Sequence, residues 1–246
     1  MPRIVASIEA RMSSSRLPGK ILADIAGRPS LDLQVSRLRQ CRLLDDIVVA
    51  TTISPADDVV ETWAGKFGVS CFRGSEEDVL KRVVDAQKSM QSDIVVEVCG
   101  DTPLIDPDIV DLAIETFLNN TCQVVSNTNK LSFPQGLDAQ VFPLDLLDWV
   151  AKNISDPAVR EHVSLYFYEN PDTYKIFHLM APRHWKAPEI RLQMDYPEDH
   201  QLICEIFERL EPLYGDQFGV QEILDLLKAN PELSAINNHL EEAPVR

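Results

Sequence analysis

The run Arg3-Ile4-Val5-Ala6-Ser7-Ile8-Glu9-Ala10-Arg11-Met12-Ser13-Ser14-Ser15-Arg16-Leu17-Pro18-Gly19-Lys20 passes from a mainly apolar stretch into a basic, serine-rich loop. An apolar stretch of this length reads as a strand. Four comparable runs follow at Asp46 to Thr51, Val69 to Phe72, Asp93 to Val98 and Gln123 to Ser126. Between them, apolar residues recur at helical spacing: Leu31, Val35 and Leu38, then Val59, Trp63 and Phe67, then Leu80, Val83 and Val84. This alternation is the signature of βαβ units and predicts an α/β fold with an open, mostly parallel sheet flanked by helices. Ser75 and Asp78 resemble a capping box opening the third helix, and Pro107 suits a first helical turn.

After residue 127 the pattern loosens. Phe133-Pro134-Gln135-Gly136 reads as a turn, Ala139 to Phe142 as a short extended run, and Leu144 to Ala151 and Ala158 to Tyr168 as helices. Tyr174 to Met180 and Ile190 to Met194 are expected to add strands to the same sheet, followed by a helix over Glu198 to Leu210. The expected organisation is one domain over 1–246, with an insertion or lid at about 130–170 and a polar tail at about 230–246 that frays.

A chain of 246 residues with 45% hydrophobic content can bury one large core. Its net charge of −16 argues against broad contact with nucleic acid or an anionic membrane, which attract basic proteins. Against that background, residues 1–42 hold eight Lys or Arg and three acids, a local cationic zone suited to a polyphosphate. Five widely spaced cysteines suggest neither a disulfide framework nor a zinc site. With no leader-like segment and no apolar run of spanning length, a cytoplasmic location is expected.

In open α/β sheets, ligands bind beyond the carboxyl ends of strands, which is where residues 10–20 fall. Three consecutive serines offer hydroxyls and approachable backbone N–H groups, and Arg11, Arg16 and Lys20 supply positive charge. The combination reads as a polyphosphate cradle, although it matches neither a Walker loop nor a dinucleotide fingerprint, and a solvated serine loop is the plainer alternative. Gly100-Asp101-Thr102-Pro103 and Met194-Asp195-Tyr196-Pro197 each place an aspartate at the end of an expected strand. Two such carboxylates can share one Mg²⁺ that also grips phosphate oxygens, whereas Asp195 alone could equally be a helix cap.

Together with Phe72-Arg73-Gly74-Ser75-Glu76-Glu77-Asp78-Val79-Leu80, Phe133-Pro134-Gln135-Gly136-Leu137-Asp138 and Arg160-Glu161-His162-Val163, these motifs make the chain resemble the cytidylyltransferase family over residues 3 to about 210. That family includes the enzymes activating acylneuraminate and 3-deoxy-manno-octulosonate, and the spore-coat-polysaccharide branch looks nearest. The resemblance implies a Rossmann-like, glycosyltransferase-A-like sheet, with Ala10, Arg11, Ser13, Ser14 and Lys20 on the nucleotide and Arg73 near the base. It implies catalytic roles for Arg11, Lys20 and Asp101, and Mg²⁺ held by Asp101 and Asp195. Residues 130–170 become the acceptor side and a homodimer contact, with Asp138, Gln140, Arg160 and His162 as acceptor candidates. The partners implied are CTP and a small acidic or phosphorylated sugar-like acceptor in surface polysaccharide synthesis.

Two residues depart from the family pattern: Glu9, where glutamine is common, and Gln140, where many relatives have glutamate. Both leave acceptor identity open. Guanylyl or other nucleotidyl transfer to a sugar phosphate or phosphonate, and a non-catalytic nucleotide-binding scaffold, are the competing readings.

Overall fold

A computed structural model describes residues 1–240. Strand β1 (Ile4–Glu9) lies inside a seven-stranded sheet, and its alternate side chains enter different cores. Ile4, Ala6 and Ile8 face one layer, while Val5 packs on the other with Val48, Ala50 and Ala86. Both faces are therefore covered, and Ser7, the polar residue in the run, is buried with the rest.

A two-residue turn at Ala26 and Gly27, both at positive φ, joins the short hairpin strands β2 (Asp24–Ile25) and β3 (Arg28–Pro29). The remaining strands are β4 (Asp46–Thr52), β5 (Ser70–Gly74), β6 (Ile94–Cys99), β7 (Val124–Ser126), β8 (Gln140–Pro143) and β9 (Ile176–His178). The main sheet runs β5-β4-β1-β6-β8-β7-β9, and only β8 is antiparallel to its neighbours.

One face carries α1 (Ser30–Leu38), α2 (Asp58–Phe67), α4 (Pro107–Asn119), α8 (Pro197–Tyr214) and α9 (Val220–Ala229). The other carries α3 (Val79–Ser89), α5 (Leu144–Asn153), α6 (Pro157–Glu161) and α7 (Leu165–Glu169). Asp78, not Ser75, caps α3 by accepting from Lys81 N, while Ser75 Oγ accepts from Asp78 N. Pro107 does open α4, behind Asp106 as its cap.

From β1 the chain winds outward through β4 to β5, then returns to place β6 on the other side of β1. The order reverses between the carboxyl ends of β1 and β6, the topological switch point where open sheets bind ligands. Gly100 makes this junction possible: its N donates to Glu9 O at 3.0 Å, and a Cβ there would lie 2.4 Å from that oxygen.

Three sequence expectations change. Ile190–Met194 is no sheet strand; it is an irregular segment bridged once at Gln135 and Arg191. Its backbone partners are the 133–136 turn and the Asp101 loop: Leu192 N donates to Gln135 O at 2.8 Å, and Met194 N to Asp101 O at 2.8 Å. The single helix expected over Ala158 to Tyr168 is broken at His162 into α6 and α7. From Asn230 to 240 the tail is folded rather than frayed, because α10 (Pro231–Ser234) buries Leu233 and the following turn buries Asn237. The rest of the expected tail lies outside the described residues.

Candidate active site

The loop after β1 is held by its own backbone. Ser14 N and Gly19 N both donate to Met12 O, at 2.9 and 3.0 Å, and Met12 N donates to the buried Asp57 at 2.7 Å. Gly19, at φ 74, turns the chain so that Lys20 enters a 3₁₀ turn with its side chain directed at the strand ends. A glycine meets that left-handed requirement without steric cost.

The loop forms one wall of a cleft of about 540 Å³. Lys20 Nζ lies 2.6 Å from Asp101 Oδ2 and 2.8 Å from Asp195 Oδ1. Arg16 reaches the same Asp195 oxygen at 2.9 Å, and Arg191 holds the other at 3.2 Å. Burial opposes charge on Lys20, but the two carboxylates outweigh it and raise its pKa. Burial likewise opposes charge on Asp195, and Lys20, Arg16 and Arg191 outweigh it, holding that carboxyl below the ordinary range.

Asp195 is not the helix cap. Asp199 does that work, accepting from Asp195 N and Tyr196 N at 2.9 Å each, which leaves the Asp195 carboxylate for the cleft. Asp101 Oδ1 is buried and makes no hydrogen bond. An orphaned carboxylate oxygen facing a second carboxylate across a shared ammonium fits a divalent cation. Among the described residues, no cluster of three or more His, Cys, Asp or Glu could hold a metal by itself. Two carboxylates completed by water and phosphate oxygens is the donor set Mg²⁺ takes.

Across the cleft, Arg11 pairs with Glu161 on α6 at 3.4 Å, and His162 lines the wall beside it. Ser13 donates to Glu76 at 3.0 Å, and Ala10 and Ser14 also line the cleft. Glu9 on β1 lines the cleft, and its carboxyl interacts with that of the buried Glu97 on β6. Burial pushes Glu9 up to about 7, and burial together with Glu9 drives Glu97 well above the carboxylate range. The pair therefore retains a proton near neutrality, which lessens the repulsion that a carboxylate at position 9 imposes on a triphosphate.

The structure thus brings together Ala10, Arg11, Ser13, Ser14, Lys20, Asp101, His162 and Asp195. Four sequence candidates lie outside the cleft lining. Arg73 donates to Thr52 O and Ser54 O at 2.9 Å each and pairs with Asp58 and Glu61, so its guanidinium ties β5 to α2. Arg160 grips Ala151 O at 2.6 Å and forms a close ion pair with Asp78, joining α6 to α5 and to the cap of α3. Gln140 is buried in β8 opposite Glu97 and accepts from the Tyr168 hydroxyl. Asp138 lies close enough to Glu97 to raise that carboxyl's pKa.

Sequence reasoning did not single out Arg82, Glu97, Arg191, Gln193 or Asp199. Arg82 lines the cleft from α3, and Gln193 donates to Asp101 Oδ2 at 3.3 Å. Gln193 sits two residues before Asp195 in one extended segment, so the shared facing was a usable signal.

The chain matches the cytidylyltransferase family model over residues 5–230. It is 33% identical to the spore coat polysaccharide biosynthesis protein SpsF of Bacillus subtilis, covering 94% of this chain and 97% of that one. It is 34% identical to a 3-deoxy-manno-octulosonate cytidylyltransferase of Pelobacter propionicus, covering 96% and 99%. A cytidylyltransferase structure from Leptospira borgpetersenii superposes with a TM-score of 0.90 at 32% identity, covering 99% of this chain and all of that one.

Proposed function

The chain belongs to the cytidylyltransferase family, and on that premise we propose that it is a Mg²⁺-dependent enzyme that transfers CMP from CTP to a sugar acid for surface polysaccharide synthesis. The observation that carries this reading is the convergence of Asp101, Asp195 and Lys20 at the mouth of a serine-lined cationic loop. The likeness to SpsF and to an octulosonate cytidylyltransferase supports a keto sugar acid as acceptor.

In the reaction an acceptor hydroxyl oxygen attacks the α-phosphorus, its proton is lost, and the bond to the β-phosphate oxygen breaks to release pyrophosphate. Negative charge grows on the leaving group, and stabilisation aimed at that change accelerates the step. Lys20, Arg11 and Arg16 supply it, and the backbone N–H groups of Ser13 and Ser15 bind phosphate oxygens. Asp101 and Asp195 would hold Mg²⁺, which would supply Lewis-acid polarisation of the phosphates. Binding the triphosphate asks Lys20 and Arg16 to exchange carboxylate partners for phosphate oxygens. His162 and Glu161 face the loop and contact the acceptor.

The chain acts in the cytoplasm, where CTP is available; no helix among the described residues is long and apolar enough to cross a membrane. It works as a homodimer, with residues 130–170 supplying the contact.

Pyrophosphate release tests the reading, with CTP, UTP, ATP and GTP each offered with a panel of 2-keto-3-deoxy sugar acids. Turnover is expected with CTP alone, and turnover with GTP in its place would refute the nucleotide assignment. Asp101→Ala is expected to lower kcat by at least ~100-fold with an unchanged far-UV spectrum. Near-normal activity in that variant would remove Asp101 from the metal site.

A further inference from the structure

Asp195 owes its orientation to groups remote in sequence. Its backbone N and that of Tyr196 both donate to Asp199 Oδ2 at 2.9 Å, fixing the entry of α8. Arg191 spans both acids: Nε donates to Asp199 Oδ1 at 3.0 Å, and Nη2 donates to Asp199 Oδ2 and Asp195 Oδ2 at 3.2 Å each. The fork is closed from a third direction. Asn237, in the turn after α10, donates through Nδ2 to Asp199 Oδ1 at 2.8 Å and to Arg191 O at 3.0 Å. All four residues are buried.

In a dry network a charged fork is favourable only if each member keeps its partners, because an uncompensated buried charge is costly. Without the Asn237 amide, Asp199 Oδ1 keeps one donor instead of two, and the Arg191 backbone loses its only side-chain anchor among the hydrogen bonds described. Arg191 would then be free to redistribute between the two aspartates. Outer partners of a metal-binding carboxylate set its direction and the electron density it offers, and their loss commonly costs 10–100-fold in metal affinity.

We propose that Asn237 is a positioning residue for the nucleotidyl-transfer site, acting through Asp199 and Arg191 to hold the Asp195 carboxylate toward the metal. The inference rests on the reading of Asp195 as a ligand of Mg²⁺. It makes the carboxyl-terminal segment part of the active site's support, although the segment does not line the cleft.

The test is titration of Mn²⁺ into the full-length protein saturated with CTP, with free Mn²⁺ read from its electron paramagnetic resonance signal. Asn237→Asp keeps the shape but replaces the donor with a charge, and Asn237→Ser removes the reach. Each is expected to weaken Mn²⁺ binding about tenfold and to raise the Mg²⁺ concentration for half-maximal turnover by a similar factor. Leu233→Ala, which loosens α10 without touching the network, is the matched control and is expected to lower only the melting temperature. If the Asn237 variants lose thermal stability with Mn²⁺ affinity unchanged, or if Leu233→Ala shifts that affinity equally, the positioning role is refuted. Asp195→Ala separates the two layers. Unchanged Mn²⁺ binding there defeats the metal reading and the inference with it, whereas lost binding there beside unaffected Asn237 variants defeats the inference alone.

Discussion

Lys20 and Arg160 are both partly buried cations near the candidate site, yet they are satisfied in opposite ways. The Lys20 ammonium is held by two carboxylates, Asp101 and Asp195, at 2.6 and 2.8 Å. The Arg160 guanidinium is held by the carbonyls of Ala151 and Ile154 and by Asp78, the cap of α3. A carboxylate can trade an ammonium for a divalent cation, and the ammonium can then turn to a phosphate. Backbone carbonyls have no such second partner, and withdrawing the guanidinium would strand them. The first arrangement is an exchange site and the second a clamp, so charge and burial alone do not separate a chemical cation from a structural one.

Lys20→Met should break the comparison most visibly. Turnover is expected to fall by at least ~100-fold if Lys20 stabilises charge in the transition state. In the nucleotide-free protein the same change is expected to strengthen Mn²⁺ binding, because the competing ammonium is gone from between Asp101 and Asp195. A paramagnetic-resonance titration without CTP reads this directly, and weakened Mn²⁺ binding would contradict the exchange-site description.

Arg160→Met should give the reverse pattern. Losing the Asp78 pair and two carbonyl bonds is expected to cost about 2 kcal/mol, a drop of ~5 °C in melting temperature. The kcat of the folded enzyme should be unchanged. A kcat loss without thermal destabilisation would make Arg160 a substrate contact and not a clamp.

The effect of Glu9→Gln depends on pH. Burial raises the Glu9 pKa from 4.5 to about 7, so the folded protein binds this proton more tightly than the unfolded chain does. Its contribution to stability is fully present below pH 4.5 and is lost as pH rises through about 7. Glutamine carries no such proton, so Glu9→Gln should raise the melting temperature by several °C at pH 8 and leave it nearly unchanged at pH 4.5. Equal effects at both pH values in thermal scans would show that Glu9 is not the titrating member of the pair.

The parts of this architecture legible in the sequence were those written locally. β1 announced itself as a mainly apolar run ending in a basic serine loop, and Asp101 followed the strand β6, whereas the run before Asp195 had only a strand's composition. The partners of a polar side chain are not local. Arg160 and Arg73 carry the same charge as Arg11, and only tertiary packing turns their guanidiniums toward carbonyls and neighbouring helices. Ile190–Met194 has a strand's composition, but its backbone groups bond to a turn and a loop instead of a sheet neighbour. Asn237 sits in a mostly polar tail anchored by the buried Leu233 and the partly buried Ile236, too short an apolar signal to announce packing.

The hydrogen bond from Met194 N to Asp101 O, at 2.8 Å, also limits how the enzyme moves during a catalytic cycle. It fastens together the two chain segments bearing the acidic pair, so no hinge can run between them without breaking a backbone link. The 10–20 loop and α6 are joined across the cleft by the half-exposed Arg11–Glu161 pair at 3.4 Å, a weaker link than that backbone bond. The rims are thereby the softer part of the cleft, and the acidic pair is the stiffer.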